Sequence, residues 1–207
     1  MAGLIEEIQR DASTDTVSVS QLLRRMKIAA SKLKLPQLGE WVEHELNGYP
    51  DDMKVPAYRV LGGIPMSFNR FNGWRMMSLG PNETMNFAFS TIFYSSSISE
   101  VEAHSTSEGP FILSLPEFLE RQVVQTQTGL DKIGVSVDQG KFLAILSGVR
   151  NRALDWALAV EEAGVTGEGM SFTPAEQQAA QAVTNHFYGD NARFNQGSTD
   201  NSSNTVA

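Results

Sequence analysis

Between Asp138 and Ala163 apolar residues recur at helical spacing. Phe142, Ile145, Leu146, Val149, Ala153, Trp156 and Val160 fall on one face. Asp138 is placed to cap the start, and Gly164 to end the helix. A helix of this length with one apolar stripe draws most of its stability from whatever packs on the stripe. The rest of the chain must therefore supply a cover for it. The outward positions are Arg150, Arg152, Asp155, Glu161 and Glu162. Arg152 and Asp155 lie one turn apart and can pair.

The first part of the chain offers helices as that cover. Leu4, Ile5 and Ile8 make a short amphipathic turn ending near Asp11. Ser18 or Ser20 can cap a second helix, on which Leu22, Leu23, Met26, Ile28, Ala29 and Leu33 recur. Pro36 suits a first helical position, Leu38, Trp41, Val42 and Leu46 form the stripe of a third helix, and Gly48 stops it. Thr173-Pro174-Ala175-Glu176 reads as a capping box opening a last helix, weakly apolar through Ala179, Ala182 and Val183.

The character changes at Tyr49-Pro50-Asp51-Asp52. Tyr58, Val60 and Leu61, then Trp74, Met76 and Met77, read as strands, with Asn72-Gly73 as a hairpin turn. Ser97 to His104 reads as a short helix, Phe111, Leu113 and Leu115 as a strand, and Pro116 to Val124 as a helix. Ile133, Val135 and Val137 alternate as a half-buried strand. The expected fold class is α+β: an N-terminal helical bundle packed with a small, mostly antiparallel sheet and a long C-terminal helix. Residues 1–185 form the domain, helical over 1–49, strand-rich over 50–137 and helical again over 138–185. A polar tail, 186–207, follows.

That tail, HFYGDNARFNQGSTDNSSNTVA, is rich in Asn, Ser, Thr and Gly and carries only three charges. It lacks the Pro and Lys that block strand pairing. Asp190-Asn191 recurs as Asp200-Asn201, and each pair is followed by another Asn, Asn195 and Asn204. Asn side chains stack in ladders when like strands sit in register. One reading is a frayed terminus. The sharper reading is a self-association element of Phe187, Asn191, Arg193, Phe194, Asn195, Asn201, Asn204 and Val206, and the partner is then another copy of the chain.

A net charge of −8 argues against a broad nucleic-acid surface, although Arg24, Arg25, Lys27, Lys32 and Lys34 could make a local basic patch. There is no cysteine, so disulfide and thiolate chemistry are excluded. Met1 leads into a polar helical pattern rather than a signal-like apolar run, and no stretch reaches the length of a membrane span. The expected location is the cytoplasm.

VRNRALDWALAVEEAGV, Val149 to Val165, resembles the signature helix of the AbiTii family of bacterial abortive-infection proteins. GLIEEIQRDAS, VSVSQLLRRMKIAASKLKL and LGEWVEHELNGYP near the start agree with it, as do FTPAEQQAA and the tail. The likeness is strongest over Glu40–Pro50, Val149–Val165 and the tail, and weak between Ser78 and Ser107. It implies a role in defence against phage, in which an infected cell stops growth or dies, without specifying a chemistry.

Sites of chemistry are few. Glu40 and His44, with Glu43 between them, have a spacing that can hold a metal, but the second histidine of the zinc pattern is missing, and a solvated helix face is the plainer account. No metal and no cofactor are expected. Arg150, Arg152 and Asp155, near Asn151 and Trp156, could bind a phosphate or nucleotide, although such clusters more often tie a central helix to loops. Phe68, Phe71 and Trp74, and Phe87, Phe89, Ile92, Phe93 and Tyr94, could form exposed contact patches, with core burial the commoner fate. The leading expectation is a non-enzymatic anti-phage protein acting through homo-oligomeric assembly, as effector or scaffold. The alternatives are a toxic enzyme acting on nucleotides or nucleic acid near Arg150–Trp156, and a sensor of a phage component. A phage or host protein is a further partner these readings admit.

Overall fold

The computed structural model describes residues 3–124, 130–167 and 171–188. The long helix α7, Gln139–Glu162, is the axis of the molecule, capped by the Asp138 side chain on the Gly140 N–H. Its predicted stripe is buried, with Phe142, Ile145, Val149, Ala153, Trp156 and Val160 all at 0% exposure. The helices α1, Leu4–Ala12, α2, Val19–Leu33, and α3, Pro36–Asn47, lie where the sequence places them, and Ser18 caps α2. α1 lies along α7 and α2 pairs with α3. Gln9 Nε2 fixes the first contact by donating to the Ala157 carbonyl at 3.3 Å and to Glu161 Oε2 at 2.9 Å. Ile28 departs from expectation: it is 42% exposed, because the α2 stripe turns away at that position toward Ala29 and Ala30.

Beyond Asn47 the chain builds two small sheets. Tyr58 lies in a 3-10 turn, Ala57–Arg59, not in a strand. β1, Val60–Gly62, then runs into β2, Ile64–Asn69, and β3, Gly73–Met76, follows through the expected hairpin with Gly73 at φ 69°. Gly63 is the pivot between β1 and β2; a Cβ there would lie 2.4 Å from the Ser136 carbonyl oxygen. β2 carries Pro65, which hid it in the sequence. α4, Glu83–Ser90, leads into β4, Thr91–Phe93, the antiparallel partner of β1. α5, Ile98–Thr106, packs on α7, and Ser20 ties α2 to it by donating to the Glu102 carboxylate. β5, Phe111–Ser114, is followed by α6, Glu117–Val124, and β6, Lys132–Val137. The larger sheet is antiparallel with order β3-β2-β6-β5. Arg70 braces its hairpin on Asp131 at 2.8 Å, which holds the Asp131 carboxyl below the usual carboxylate range.

Alternation along β6 places Ile133, Val135 and Val137 in the core, all nearly inaccessible. At one end of that face Phe111 packs edge-on against His104 and Phe142, and His104 stacks on Phe142 with ring centroids 4.9 Å apart. The final helix α8, Pro174–Tyr188, lies against α7 and α3. Its buried positions are Ala180 and Thr184; Ala182 is exposed, so the apolar face is rotated from the one expected. The anchor is a hydrogen bond, Trp156 Nε1 to Thr184 Oγ1 at 3.0 Å, which apolar spacing cannot signal. Glu176 completes the capping box with Thr173 and also accepts from the Thr166 and Gly167 N–H groups. These donors pull its carboxyl down to about 2. Among the described residues no helix is long and apolar enough to cross a membrane.

Candidate functional site

A cavity of about 510 Å³ opens where α3, the segment 49–60, α7 and the end of α8 meet. α3 contributes Glu40, Trp41 and His44 at helical spacing, α7 contributes Arg152, and α8 contributes Tyr188. The structure thus brings together two sequence candidates that lie far apart in the chain, Glu40 with His44 and Arg152. Arg150 and Asp155 do not line the cavity. Arg150 donates to the Asp11 carbonyl at 3.0 Å and to the Val17 carbonyl, so it ties α7 to the turn between α1 and α2. Asp155 is exposed.

Arg152 is not outward. Its guanidinium lies over the rings of Tyr188, 4.5 Å from the centroid, and Trp41, at 5.8 Å. Its Nη2 donates to the Phe187 carbonyl at 2.9 Å. The two rings are themselves in contact, with centroids 5.3 Å apart. The end of α8 is thereby fastened to α7 and α3 by one cation, two rings and one charge-assisted hydrogen bond.

Behind the cavity wall lies a fully buried ion pair that sequence reading missed. Glu45 and Arg59 are both at 0% exposure. Arg59 Nη2 donates to Glu45 Oε2 at 2.6 Å and Nε to the same oxygen at 3.1 Å. Its Nη1 donates to the carbonyls of Tyr94 at 3.2 Å and Ser96 at 2.7 Å. Glu45 Oε1 accepts from the hydroxyls of Tyr49 at 2.6 Å and Tyr58 at 2.7 Å, and Tyr58 in turn accepts from Trp41 Nε1 at 3.0 Å. Burial, then the Glu45 charge, pushes the Tyr49 and Tyr58 hydroxyls far above their ordinary value, so both act as neutral donors. Tyr188 is likewise raised by burial. The signal for Glu45 was present, since it continues the spacing Leu38, Trp41, Val42 on the buried face of α3. Arg59, between Tyr58 and Val60, gave none.

The arrangement is a cavity with aromatic walls, a carboxylate, an imidazole and a guanidinium at its surface, and a rigid polar backing. Among the described residues no group of three or more His, Asp or Glu is placed to hold a metal ion. Two of the basic residues of α2 face acids: Arg25 pairs with Asp11 and Glu7, and Lys27 with Glu43. Of the expected self-association residues only Phe187 is described, half-buried beside Tyr188. Asn191, Arg193, Phe194, Asn195, Asn201, Asn204 and Val206 lie outside the described residues.

A family model, AbiTii, matches residues 3–185. No curated protein and no solved structure matches the chain.

Proposed function

Because the chain belongs to the AbiTii family, whose role is abortive infection against phage, we propose that it is a non-enzymatic defence protein that works by homo-oligomeric assembly. The folded body is the effector or scaffold, and the tail beyond α8 joins copies through short paired strands. The observation that carries this reading is the fastening of α8. Arg152 holds the Phe187 carbonyl and both flanking rings, so the tail departs from a fixed point on the body. A joining element transmits association to the body only if its root is fixed. The two arginines that could have served a phosphate site instead grip backbone carbonyls, which favours structure over catalysis.

The test is a chain ending at Tyr188, which keeps the anchored ring, compared with the full chain by light scattering and by phage challenge in cells. The expected result is a smaller subunit number and loss of protection on truncation. Equal subunit numbers overturn the reading. The sensor alternative draws on the 510 Å³ cavity. For it, His44→Ala and Glu40→Gln would abolish protection while leaving subunit number unchanged.

A further inference from the structure

Among the described residues the smaller sheet has two strands, β1 and β4, and β4 has a second edge. Tyr94 donates its N–H to the Arg59 carbonyl at 2.9 Å, and Gly63 donates to the Ser90 carbonyl at 2.8 Å. With the register Leu61 to Ile92, this makes Ile92 and Tyr94 the residues that exchange hydrogen bonds with the β1 side. Thr91 and Phe93 therefore turn their backbone N–H and C=O groups to the other edge, where no described strand pairs with them. The same residues line a groove of about 1000 Å³ together with Phe87 of α4 and Phe118 of α6. Phe87, Phe93 and Phe118 are 60%, 57% and 69% exposed. Unused main-chain donors and acceptors beside phenyl groups suit an extended peptide, which adds as a strand and sinks alternate side chains into the groove.

We propose that the occupant is residues 190–196 from the tail of a second copy, laid along β4. The inference rests on the assembly reading above and names what the tail grips. Three observations select this occupant. First, Asn191-Ala192-Arg193-Phe194-Asn195 alternates polar with apolar, so one face of a strand carries Ala192 and Phe194, and the stretch holds no Pro to interrupt an added ladder. Second, the root of the tail lies next to the groove. α8 ends at Tyr188 in the wall of the 510 Å³ cavity, and Met53, Lys54 and Val55 line both that cavity and the groove. Phe194 is about 20 Å of extended chain beyond Tyr188. Third, the charges match: the groove offers Asp51 and Lys54, and the segment carries Arg193 and Asp190. With root and groove side by side, two copies can exchange tails reciprocally, each filling the groove of the other. Such an exchange closes at two subunits, whereas a root and a groove on opposite sides of the molecule would grow an open chain.

The experiment measures subunit number by light scattering over a concentration series, on the full chain and on its Phe93→Lys, Phe194→Asp and Phe71→Lys variants, with circular dichroism to confirm folding. Phe71 is 86% exposed on the β2–β3 hairpin and does not line the groove. The expected result is a dimer that Phe93→Lys and Phe194→Asp each weaken at least tenfold and that Phe71→Lys leaves unchanged. The chain has no cysteine, so thiols introduced singly report the contact through a short bismaleimide. A mixture of Thr91→Cys and Ala192→Cys chains should cross-link to the mass of two subunits, and neither variant should do so alone. If Ala192→Cys chains join to one another instead, tails pair with tails: the assembly reading stands and this inference is overturned. A chain carrying both cysteines that closes only on itself places the tail on its own body and overturns it too. Equal subunit numbers for the full chain and the chain ending at Tyr188 overturn the assembly reading, and this inference falls with it.

Discussion

Trp156 and Met76 draw on the same hydrophobic drive, yet Trp156 is wholly enclosed and Met76 is 74% exposed. The helices around α7 close on themselves. Every residue of the expected α7 stripe is covered or half-covered, and polar side chains of that region reach across elements, as Gln9 does to α7 and Trp156 to Thr184. The strand-rich part covers one face of its sheet and leaves the other bare. Most of the large apolar side chains left in water lie in this strand-rich part, on the sheet at Ile64, Trp74 and Met76 and around it at Phe71, Met85, Phe87, Phe93 and Phe118, whereas Ile28, Leu143 and Leu158 are those of the helical part. A helix can bury its stripe within one chain by adding neighbours around it. A four-stranded sheet has two faces, and among the described residues Ile64, Trp74 and Met76 on one of them stay exposed. The difference separates a region closed around its own apolar stripe from a region that leaves apolar surface in water.

The sharpest way to break that contrast is Trp156→Ala. It removes the largest fully buried side chain and the anchor of α8, and should cost about 3–5 kcal/mol; an unchanged thermal midpoint would show that the helical half is not self-sufficient. Next comes the ion pair. Glu45→Leu leaves Arg59 buried without its carboxylate and should cost about 3 kcal/mol or more, whereas Glu45→Leu with Arg59→Met should recover much of the loss; denaturant midpoints of the three variants check this. A smaller effect belongs to the α8 cap. The Glu176 carboxyl is lower in the folded chain, at about 2, than its ordinary 4.5. Its contribution is therefore present above pH 4.5 and lost as pH falls toward 2. Glu176→Gln should cost about 1 kcal/mol at neutral pH and flatten the pH dependence of stability in that window. The smallest effect is predicted in the open region: Phe87→Ser and Phe118→Ser should each change stability by about 0.5 kcal/mol or less. A large loss in either would mean that the exposed phenyl groups carry the fold.

The helices were readable because apolar spacing and caps agreed: Ser18, Pro36, Asp138 and Thr173 all mark real starts. The strands were harder. Pro65 argues against a strand interior, yet β2 accommodates it, and α4 has too little periodicity over eight residues to stand out. Phe71 and Phe87 have the composition of core residues, and only the third dimension places them in water. The cavity could not be read at all as one object. Glu40, His44 and Arg152 were visible separately, but their meeting depends on α8 packing through a buried threonine. Arg59 was invisible because its partner lies 14 residues earlier, on another element.

Glu45 and Arg59 also bear on how a chain of this kind can drift over generations. Each is tolerable in the interior only because the other is there, and Tyr49, Tyr58 and the carbonyls of Tyr94 and Ser96 are aimed at the pair. A descendant that swaps both for apolar residues lies two steps away, and either first step strands a charge in the core. The two positions should therefore be inherited together. Relatives should carry both residues or neither, and where both are lost the tyrosines at 49 and 58 should be lost with them.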